Sequence, residues 1–311
     1  MYSKGFLFPG YGSQYVGMGK DFYDKYRCVQ ELFEEATNCI GLNFVRLCFA
    51  SSEKELAKPL NAYLALFLVQ SSIYRVLREY EIAPGLITGW GVGHVSAHYA
   101  AGVLNFPDGL YILKKYMEFF EELMSGYDVS IVSVHGIERN VLEESRRLCN
   151  VADVTKLAII RDEKNFVVGG VSSAMNKLCS YLQKQFGVGV VNELHTYGLH
   201  LLVVNEIVNR LNQYLEKIDC KNPQISLINQ SGLIVKKGTK FNKLLLTEFM
   251  YNPIDMGQIV KQLQRVNTVI QIGPGSVTFD IIKKYFDEKK RLMIIQRTDL
   301  KELCDVRNDQ K

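Results

Sequence analysis

Two spacings of apolar residues alternate along the chain and predict strands that alternate with helices. The run KGFLFPG (4–10) is a short apolar segment ended by Pro-Gly, which predicts a buried strand. Apolar residues at helical spacing follow over 23–41 and 61–85. The segment LITGWGVGHVSAHYAAGVL (86–104) then predicts a strand, a glycine turn and a helix, and another helix is expected over 107–124. This alternation is typical of an α/β fold with a largely parallel, helix-covered sheet.

The pattern changes near Gly126. Between about 127 and 194 the predicted order is strand, helix, strand, strand, helix, strand. That order is the split βαβ arrangement of a ferredoxin-like domain. We therefore predict a small domain over 127–194.

The first pattern resumes after this segment. Helices and strands alternate again, with helices over 199–217 and 254–265 and strands over 225–230, 268–275 and 291–296. Residues 1–126 and 195–311 are therefore expected to form one large α/β domain, into which the small domain is inserted.

Composition and charge narrow the class of protein. The chain has 311 residues, of which 47% are apolar and 23% are charged, as in an ordinary globular protein. Its net charge is +4, and basic and acidic residues are interleaved along the chain. The sequence therefore predicts no nucleic-acid-binding patch. The longest apolar runs, such as 62–69, fall short of the ~20 residues that a membrane span needs, and the N-terminus has no signal-peptide pattern. The seven cysteines are scattered without a CxxC pair. We expect a cytoplasmic protein with reduced thiols and no metal.

Four motifs together resemble the malonyl-CoA:acyl-carrier-protein acyltransferase family. FLFPGYGSQYVGMGKDFY resembles the family's FPGQGSQxxGM start, and GWGVGHVSAHYAAGVL resembles its GHSxGExSAxxxAG turn. YNPIDM and IQIGPGSVTFDIIKK resemble its YxPVxW and EVGPGxxLxxLxK segments. The resemblance covers about residues 5–296 in matching order. It implies an α/β-hydrolase-like large domain with an inserted ferredoxin-like small domain, and acyl transfer in fatty-acid or polyketide synthesis.

The chemistry implied by this resemblance is covalent exchange. A serine on the sharp turn attacks a thioester, a histidine accepts its proton, and backbone donors hold the oxyanion. An arginine on a helix pairs with the free carboxylate of malonate through a two-pronged contact. No cofactor is needed.

The residue that should carry the acyl group is missing. The nucleophile position falls on Gly91, the histidine before it on Trp90, and the glutamate after the turn on His94. The framing glycines Gly89 and Gly93 remain, so the turn itself is expected to form. Losing the nucleophile from a catalytic triad costs around 10⁶-fold in turnover, which binding alone cannot replace.

Aromatic residues stand where the family's pocket residues would be. The carboxylate-binding arginine falls on Tyr116, and two glutamines fall on Tyr11 and Tyr63. Each aromatic side chain buries about 150–250 Å², while such a pocket measures only some hundreds of Å³. We therefore expect the cleft to be filled or reshaped. The pocket residues that we assign are Tyr11, Tyr63, Trp90, Val92, Tyr116 and Asn229.

The catalytic histidine of the family aligns with His200 in ELHTYGLHLL, and His195 is the alternative if the alignment slips. His200 is either a surviving general base or a relic held by hydrogen bonds. Asn229 in LINQSG falls where the family has an asparagine near this histidine.

Several other residues have a functional and a structural interpretation, and the structural one is favoured for each. Ser96 lies five residues past Gly91, more than one helical turn away. His94 and His98 have the i, i+4 spacing of metal ligands but no evident third ligand. Ser13 is a loop serine. The lysines of VKKGTK (235–240) indicate a solvated loop, with a basic rim for an acidic carrier protein as the alternative.

The sequence thus predicts a catalytically inactive acyltransferase homologue. It would act as a scaffold or accessory protein that binds an acyl carrier protein, a synthase module or an active paralogue. An enzyme with altered chemistry, such as a thioester hydrolase that uses His200, is the alternative. A small-molecule binding protein with an aromatic-lined cleft is a third hypothesis.

Overall fold

The structure, a computed structural model, describes residues 2–192 and 204–300. The strands in these ranges are β1 (Tyr2–Phe8), β2 (Leu86–Gly89), β3 (Val129–His135), β4 (Thr155–Ile160), β5 (Asn165–Val171), β6 (Gly189–Asn192), β7 (Ser226–Ile228), β8 (Ile234–Val235), β9 (Ile254–Asp255), β10 (Val266–Ile272) and β11 (Arg291–Ile294). The α-helices are α1 (Lys20–Lys25), α2 (Arg27–Ile40), α3 (Phe44–Phe49), α4 (Glu53–Leu56), α5 (Pro59–Glu79), α6 (Val92–Ala100), α7 (Phe106–Met124), α8 (Arg139–Leu148), α9 (Ser172–Phe186), α10 (Val204–Leu215), α11 (Glu248–Tyr251), α12 (Met256–Leu263) and α13 (Ser276–Lys283).

The larger sheet has the strand order β11-β10-β1-β2-β7-β8. Every neighbouring pair is parallel except the β7–β8 pair at one edge. Its central strand β1 is buried from Gly5 to Phe8, as expected for a parallel strand covered on both faces. The mixed α/β fold with a largely parallel sheet is therefore confirmed.

Helix α5 is the centre of the helical layer on one face of this sheet. It begins with Pro59 at its first position and is buried from Ala62 to Ile73 without interruption. By length and composition this helix could cross a membrane, but 89% of its most apolar window lies inside the protein. A core helix of a globular fold has the same composition, because it is covered on all sides.

The second sheet has the strand order β6-β3-β5-β4-β9. Its first four strands pair antiparallel and come from the continuous segment β3-α8-β4-β5-α9-β6. Their apolar side chains form a core with α8 and α9, separate from that of the larger sheet, and Val134, Phe166 and Leu178 lie within it.

The predicted helix over 254–265 is wrong at its start. Ile254 and Asp255 form β9, which pairs parallel with β4. The Asp255 side chain then accepts a hydrogen bond from the Gln258 backbone N–H and begins α12. Tertiary pairing thus overrides the apolar spacing, and the second sheet takes one strand from beyond 127–194.

The predicted helix over 23–41 is two helices. Tyr26 has extended backbone angles (φ −111°, ψ 121°) and lies between α1 and α2. Its ring stacks on Phe22, and its hydroxyl lies 3.1 Å from that of Tyr80. These contacts stabilise the extended conformation of Tyr26 between the two helices. Helices α3, α4 and α11 and strand β8 were not predicted from the sequence.

The carboxyl ends of β1, β2 and β10 lie at one edge of the larger sheet, because these strands are parallel neighbours. The strand that follows β1 in the sheet on one side is β2, whereas the strand that follows β10 on the opposite side is β11, so the chain proceeds in opposite directions from these two central strands. Crevices at such a reversal are the usual ligand sites of open α/β sheets. The turn after β2 lies beside this point.

Candidate functional site

The turn between β2 and α6 keeps the shape of a nucleophile-bearing elbow. Gly91 occupies it with φ 55° and ψ −120°, a conformation that L-residues adopt only under strain. A Cβ built on Gly91 has no neighbour closer than the Gly10 Cα at 4.0 Å. The position therefore has the geometry and the space for a serine, but Gly91 carries no side-chain oxygen.

The glycines around this position are required by close backbone contacts. A Cβ on Gly89 would overlap the backbone of Gly93, and a Cβ on Gly93 would overlap the backbone oxygen of Phe8. A Cβ on Gly10 would lie 2.7 Å from the Trp90 carbonyl oxygen. The expectation that Gly89 and Gly93 preserve the turn agrees with this packing.

Two buried glutamines hold the elbow from either side. Gln70 donates from Nε2 to the Pro9 carbonyl (2.7 Å) and accepts from Ser96 Oγ. Gln230 donates to the Gly89 carbonyl (2.7 Å) and lies 3.0 Å from His94 Nδ1. The sequence analysis missed both. Their signals were the amide within the apolar run ALFLVQSSIY for Gln70 and the second amide at the end of ISLINQ, after Asn229, for Gln230.

Both candidate serines make structural hydrogen bonds. Ser96 is fully buried, and its hydroxyl is bound to Gln70. The Ser13 hydroxyl donates to the Gly10 carbonyl at 2.6 Å. These contacts support the structural interpretation of each serine.

His94 and His98 are packed side by side in the core. Their ring centroids lie 4.3 Å apart. His94 Nε2 lies 2.7 Å from the Leu245 carbonyl oxygen, and His98 Nδ1 lies 2.8 Å from the His94 carbonyl oxygen. Burial lowers the pKa of His94 well below its usual value, with His98 as a second cause, and lowers the pKa of His98 to about 4. Both rings are therefore neutral structural groups at pH 7. Within residues 2–192 and 204–300, no cluster of three His, Cys, Asp or Glu residues could hold a metal ion.

The His98 pKa predicts a pH-dependent stability. Its folded-state pKa of about 4 lies below the ordinary 6.5, so the unfolded chain binds more protons between these values. We expect the free energy of unfolding to fall by about 3 kcal/mol from this group as pH drops from about 6.5 to about 4. Urea unfolding of wild type and His98→Asn at several pH values measures the difference. Parallel pH profiles would contradict it.

Three of the assigned tyrosines form a continuous row. The ring centroids of Tyr11 and Tyr63 lie 5.9 Å apart, as do those of Tyr63 and Tyr116. Tyr116 continues the row to Phe249 at 5.3 Å. Tyr63 and Tyr116 are fully buried, while Tyr11 is half-buried and donates to the Ala57 carbonyl. The structure thus brings together these three tyrosines, and their assignment to a pocket stays a prediction.

Trp90 does not join this row, so the structure does not group it with the three tyrosines, and its assignment to the pocket stays a prediction. Its side chain belongs to another apolar cluster, which includes Leu7, Ile228 and Met256. Val92 is buried in the main core as the first residue of α6.

Asn229 makes hydrogen bonds to the backbone of a turn and to a buried carboxylate. Its Oδ1 accepts from the Leu233 backbone N–H at 2.8 Å, and its Nδ2 donates to Glu248 Oε1 at 3.0 Å. Ser231 and Asn252 also donate to Glu248, yet burial dominates and raises the pKa of this carboxyl. Glu248 was missed in the sequence, where a single charge in LLLTEFM was its signal.

The two candidate histidines, His195 and His200, lie outside the described residues. Their predicted roles therefore stay predictions. The same is true of the start of the predicted helix over 199–217, of which the structure describes α10.

An open groove of about 400 Å³ lies elsewhere on the larger domain. The residues that line it are Tyr23, Phe33, Glu34, Thr37, Asn38, Asn43 and Val45. None of them is an assigned pocket residue. The groove and the elbow are therefore separate features.

Similarity to known proteins agrees with this architecture. The model of a family described as the acyl transferase domain matches residues 5–302. A malonyl CoA-acyl carrier protein transacylase of Bacillus subtilis is 28% identical over 298 residues, which cover 94% of this chain and 93% of the relative.

Solved structures share the fold. A malonyl CoA-acyl carrier protein transacylase from Clostridium perfringens superposes with a TM-score of 0.88 at 24% identity, and the match covers 99% of this chain and 98% of the other. A malonyl-transacylase solved in complex with a type II polyketide synthase acyl-carrier protein has a TM-score of 0.86 at 21% identity, covering 98% and 99%.

Proposed function

Since the chain belongs to the acyl transferase domain family, we propose that it is a catalytically inactive member that binds an acyl carrier protein or a polyketide synthase module. The observation that carries this proposal is Gly91, which stands at the nucleophile position of an otherwise preserved elbow. The side chain of glycine is a hydrogen atom, which cannot attack a thioester. Interactions that only bind the substrate cannot restore the turnover that a nucleophile provides. Ser96 is bound to Gln70 inside the core and offers no substitute.

The proposed partner comes from the relatives. Transacylases similar to this chain are named for acyl carrier protein, and one was solved in complex with such a protein. The exposed Lys236, Lys237 and Lys240 offer positive charge to an acidic surface. A cytoplasmic location follows from the same assignment.

The domain division belongs to the same proposal. Residues 1–126 and 195–311 would form the α/β-hydrolase-like domain, and 127–194 the ferredoxin-like domain. The order β3-α8-β4-β5-α9-β6, with the sheet order β6-β3-β5-β4, supports this division.

A direct test is incubation with malonyl-CoA followed by intact-mass measurement. We expect no malonyl adduct and no release of CoA, whereas the Bacillus subtilis transacylase should acquire the adduct under the same conditions. A malonyl-loaded holo acyl carrier protein should form a complex with this chain and keep its acyl group. An acylated protein, at any side chain, would contradict the proposal.

The alternative function is slow thioester hydrolysis with His200 as the base. The open space at Gly91, where the nearest atom to a Cβ lies 4.0 Å away, would accommodate the attacking water. Release of free malonate that His200→Ala abolishes would favour this alternative. Release that His200→Ala leaves unchanged would exclude a role for His200.

A further inference from the structure

The open groove on the larger domain is lined by a carboxylate and by no cation among the described residues. Of the seven residues that line it, six are uncharged and one is Glu34. Glu34 is exposed, and within residues 2–192 and 204–300 its carboxylate has no ion pair or hydrogen bond. By contrast, Glu31 on the same helix pairs with Arg27 at 2.9 Å. The charge of Glu34 is therefore left for a group from outside this part of the chain.

The helix end beside the groove adds to its negative character. Helix α2 ends at Ile40, and Thr37 and Asn38 of the groove lie in its last turn. The carboxyl end of a helix carries a partial negative charge, which a basic residue in the last turn would offset. The last turn of α2 has no basic residue. The helix end and Glu34 therefore both favour a positive charge in the groove.

An aromatic ring forms an apolar wall of the same groove. Tyr23 is half-buried, and its ring centroid lies 5.1 Å from that of Phe33 and 5.4 Å from that of Phe49. These contacts hold the ring in place, and Val45, 38% exposed, adds aliphatic surface. The face of an aromatic ring attracts a cation. A carboxylate and a fixed ring in one groove are the contacts that an ammonium group on an apolar stem makes.

The dimensions of the groove favour a small molecule over a protein. Its volume of about 400 Å³ lies within the range of small-molecule sites, about 300–1,000 Å³. Seven residues line it, whereas a stable protein interface uses about 20–30 residues on each side.

We propose that this groove binds a small organic cation, an ammonium group carried on an aromatic or aliphatic stem. The ammonium group pairs with the Glu34 carboxylate, and the stem lies along Tyr23 and Val45. The ligand is held and not transformed, so no bond is made or broken. The inference is independent of the proposed function, because the groove shares no residue with the elbow or with the assigned pocket.

The experiment measures dissociation constants by calorimetry, at neutral pH and low salt, for phenethylamine, phenethyl alcohol and hydrocinnamate. These probes share a phenyl stem and are cationic, neutral and anionic. We expect the amine to bind about tenfold more tightly than the alcohol, because an ion pair and a cation–π contact each strengthen binding a few-fold. The carboxylate probe should bind most weakly. Glu34→Gln should reduce the advantage of the amine to about threefold or less and leave the affinity for the alcohol unchanged.

The matched control is Glu31→Gln. Glu31 is also exposed on α2, but it is paired with Arg27 and does not line the groove. This variant should keep the full preference for the amine. Both glutamates lie at the surface, so neither replacement disturbs the core.

Equal binding of the three probes, or an amine preference that survives in Glu34→Gln, would overturn the inference. A preference that Glu31→Gln lowers equally would also overturn it. So would a lack of amine binding, and a tetra-arginine peptide that binds in place of the amine would assign the groove to a basic protein partner instead. None of these outcomes bears on catalytic inactivity, because that proposal fails only when a protein side chain is acylated.

Discussion

Replacing Gly91 by serine is expected to give the protein a residue that a thioester can acylate. The elbow already has φ 55° and ψ −120°, and the atom nearest to the added Cβ outside the adjacent residues is the Gly10 Cα at 4.0 Å. Because removal of such a serine costs about 10⁶-fold in turnover, its return should raise acyl transfer at least about 10³-fold above the wild-type background. Intact mass after incubation with acetyl-CoA and malonyl-CoA measures the adduct.

The matched control for this prediction is Gly91→Ala. It adds the same Cβ and the same backbone strain, about 1–3 kcal/mol, without a hydroxyl. An adduct in both variants would place the acyl group on another side chain. A folded Gly91→Ser protein that stays unmodified would show that more than the nucleophile is missing, and Tyr116→Arg is then the next addition. Trp90 is best left unchanged, because it fills a separate apolar cluster.

Gly93→Ala is expected to cause a large loss of stability. Its Cβ would overlap the backbone oxygen of Phe8, and neither β1 nor α6 can yield without breaking contacts between them. Overpacking of this kind costs about 3 kcal/mol or more when the obstacle is backbone. The free energy of unfolding in urea measures the loss.

Gly126→Ala is the control, since a Cβ there meets nothing within 4 Å. Its stability should stay within about 0.5 kcal/mol of wild type. A loss below about 1 kcal/mol in Gly93→Ala would mean that α6 can move away from β1, so that the elbow is not rigid.

The two predictions concern different properties of one turn. Gln70 and Gln230 tie this turn to the Pro9 and Gly89 carbonyls, and the framing glycines allow the close approach of β1 and α6. None of these interactions involves the nucleophile. The packing of the elbow therefore does not depend on a side chain at position 91.

The sequence by itself determined the order of helices and strands in most of the chain, because apolar spacing reports which side of each element is covered. It also predicted that Gly91 stands at the nucleophile position, because the spacing of the motif GWGVGHVSAHYAAG identifies one residue. The sequence was wrong where distant pairing competes with local pattern, as at Ile254 and Asp255, which join the second sheet.

Only the tertiary structure decided which side chains share an environment. Tyr63 and Tyr116 meet although 53 positions separate them, while Trp90, adjacent to Gly91, points into another cluster. Side-chain direction depends on how helices and strands pack, and no local spacing contains that information. The same reason explains why Gln70, Gln230 and Glu248 emerged only when the elements around them were in place.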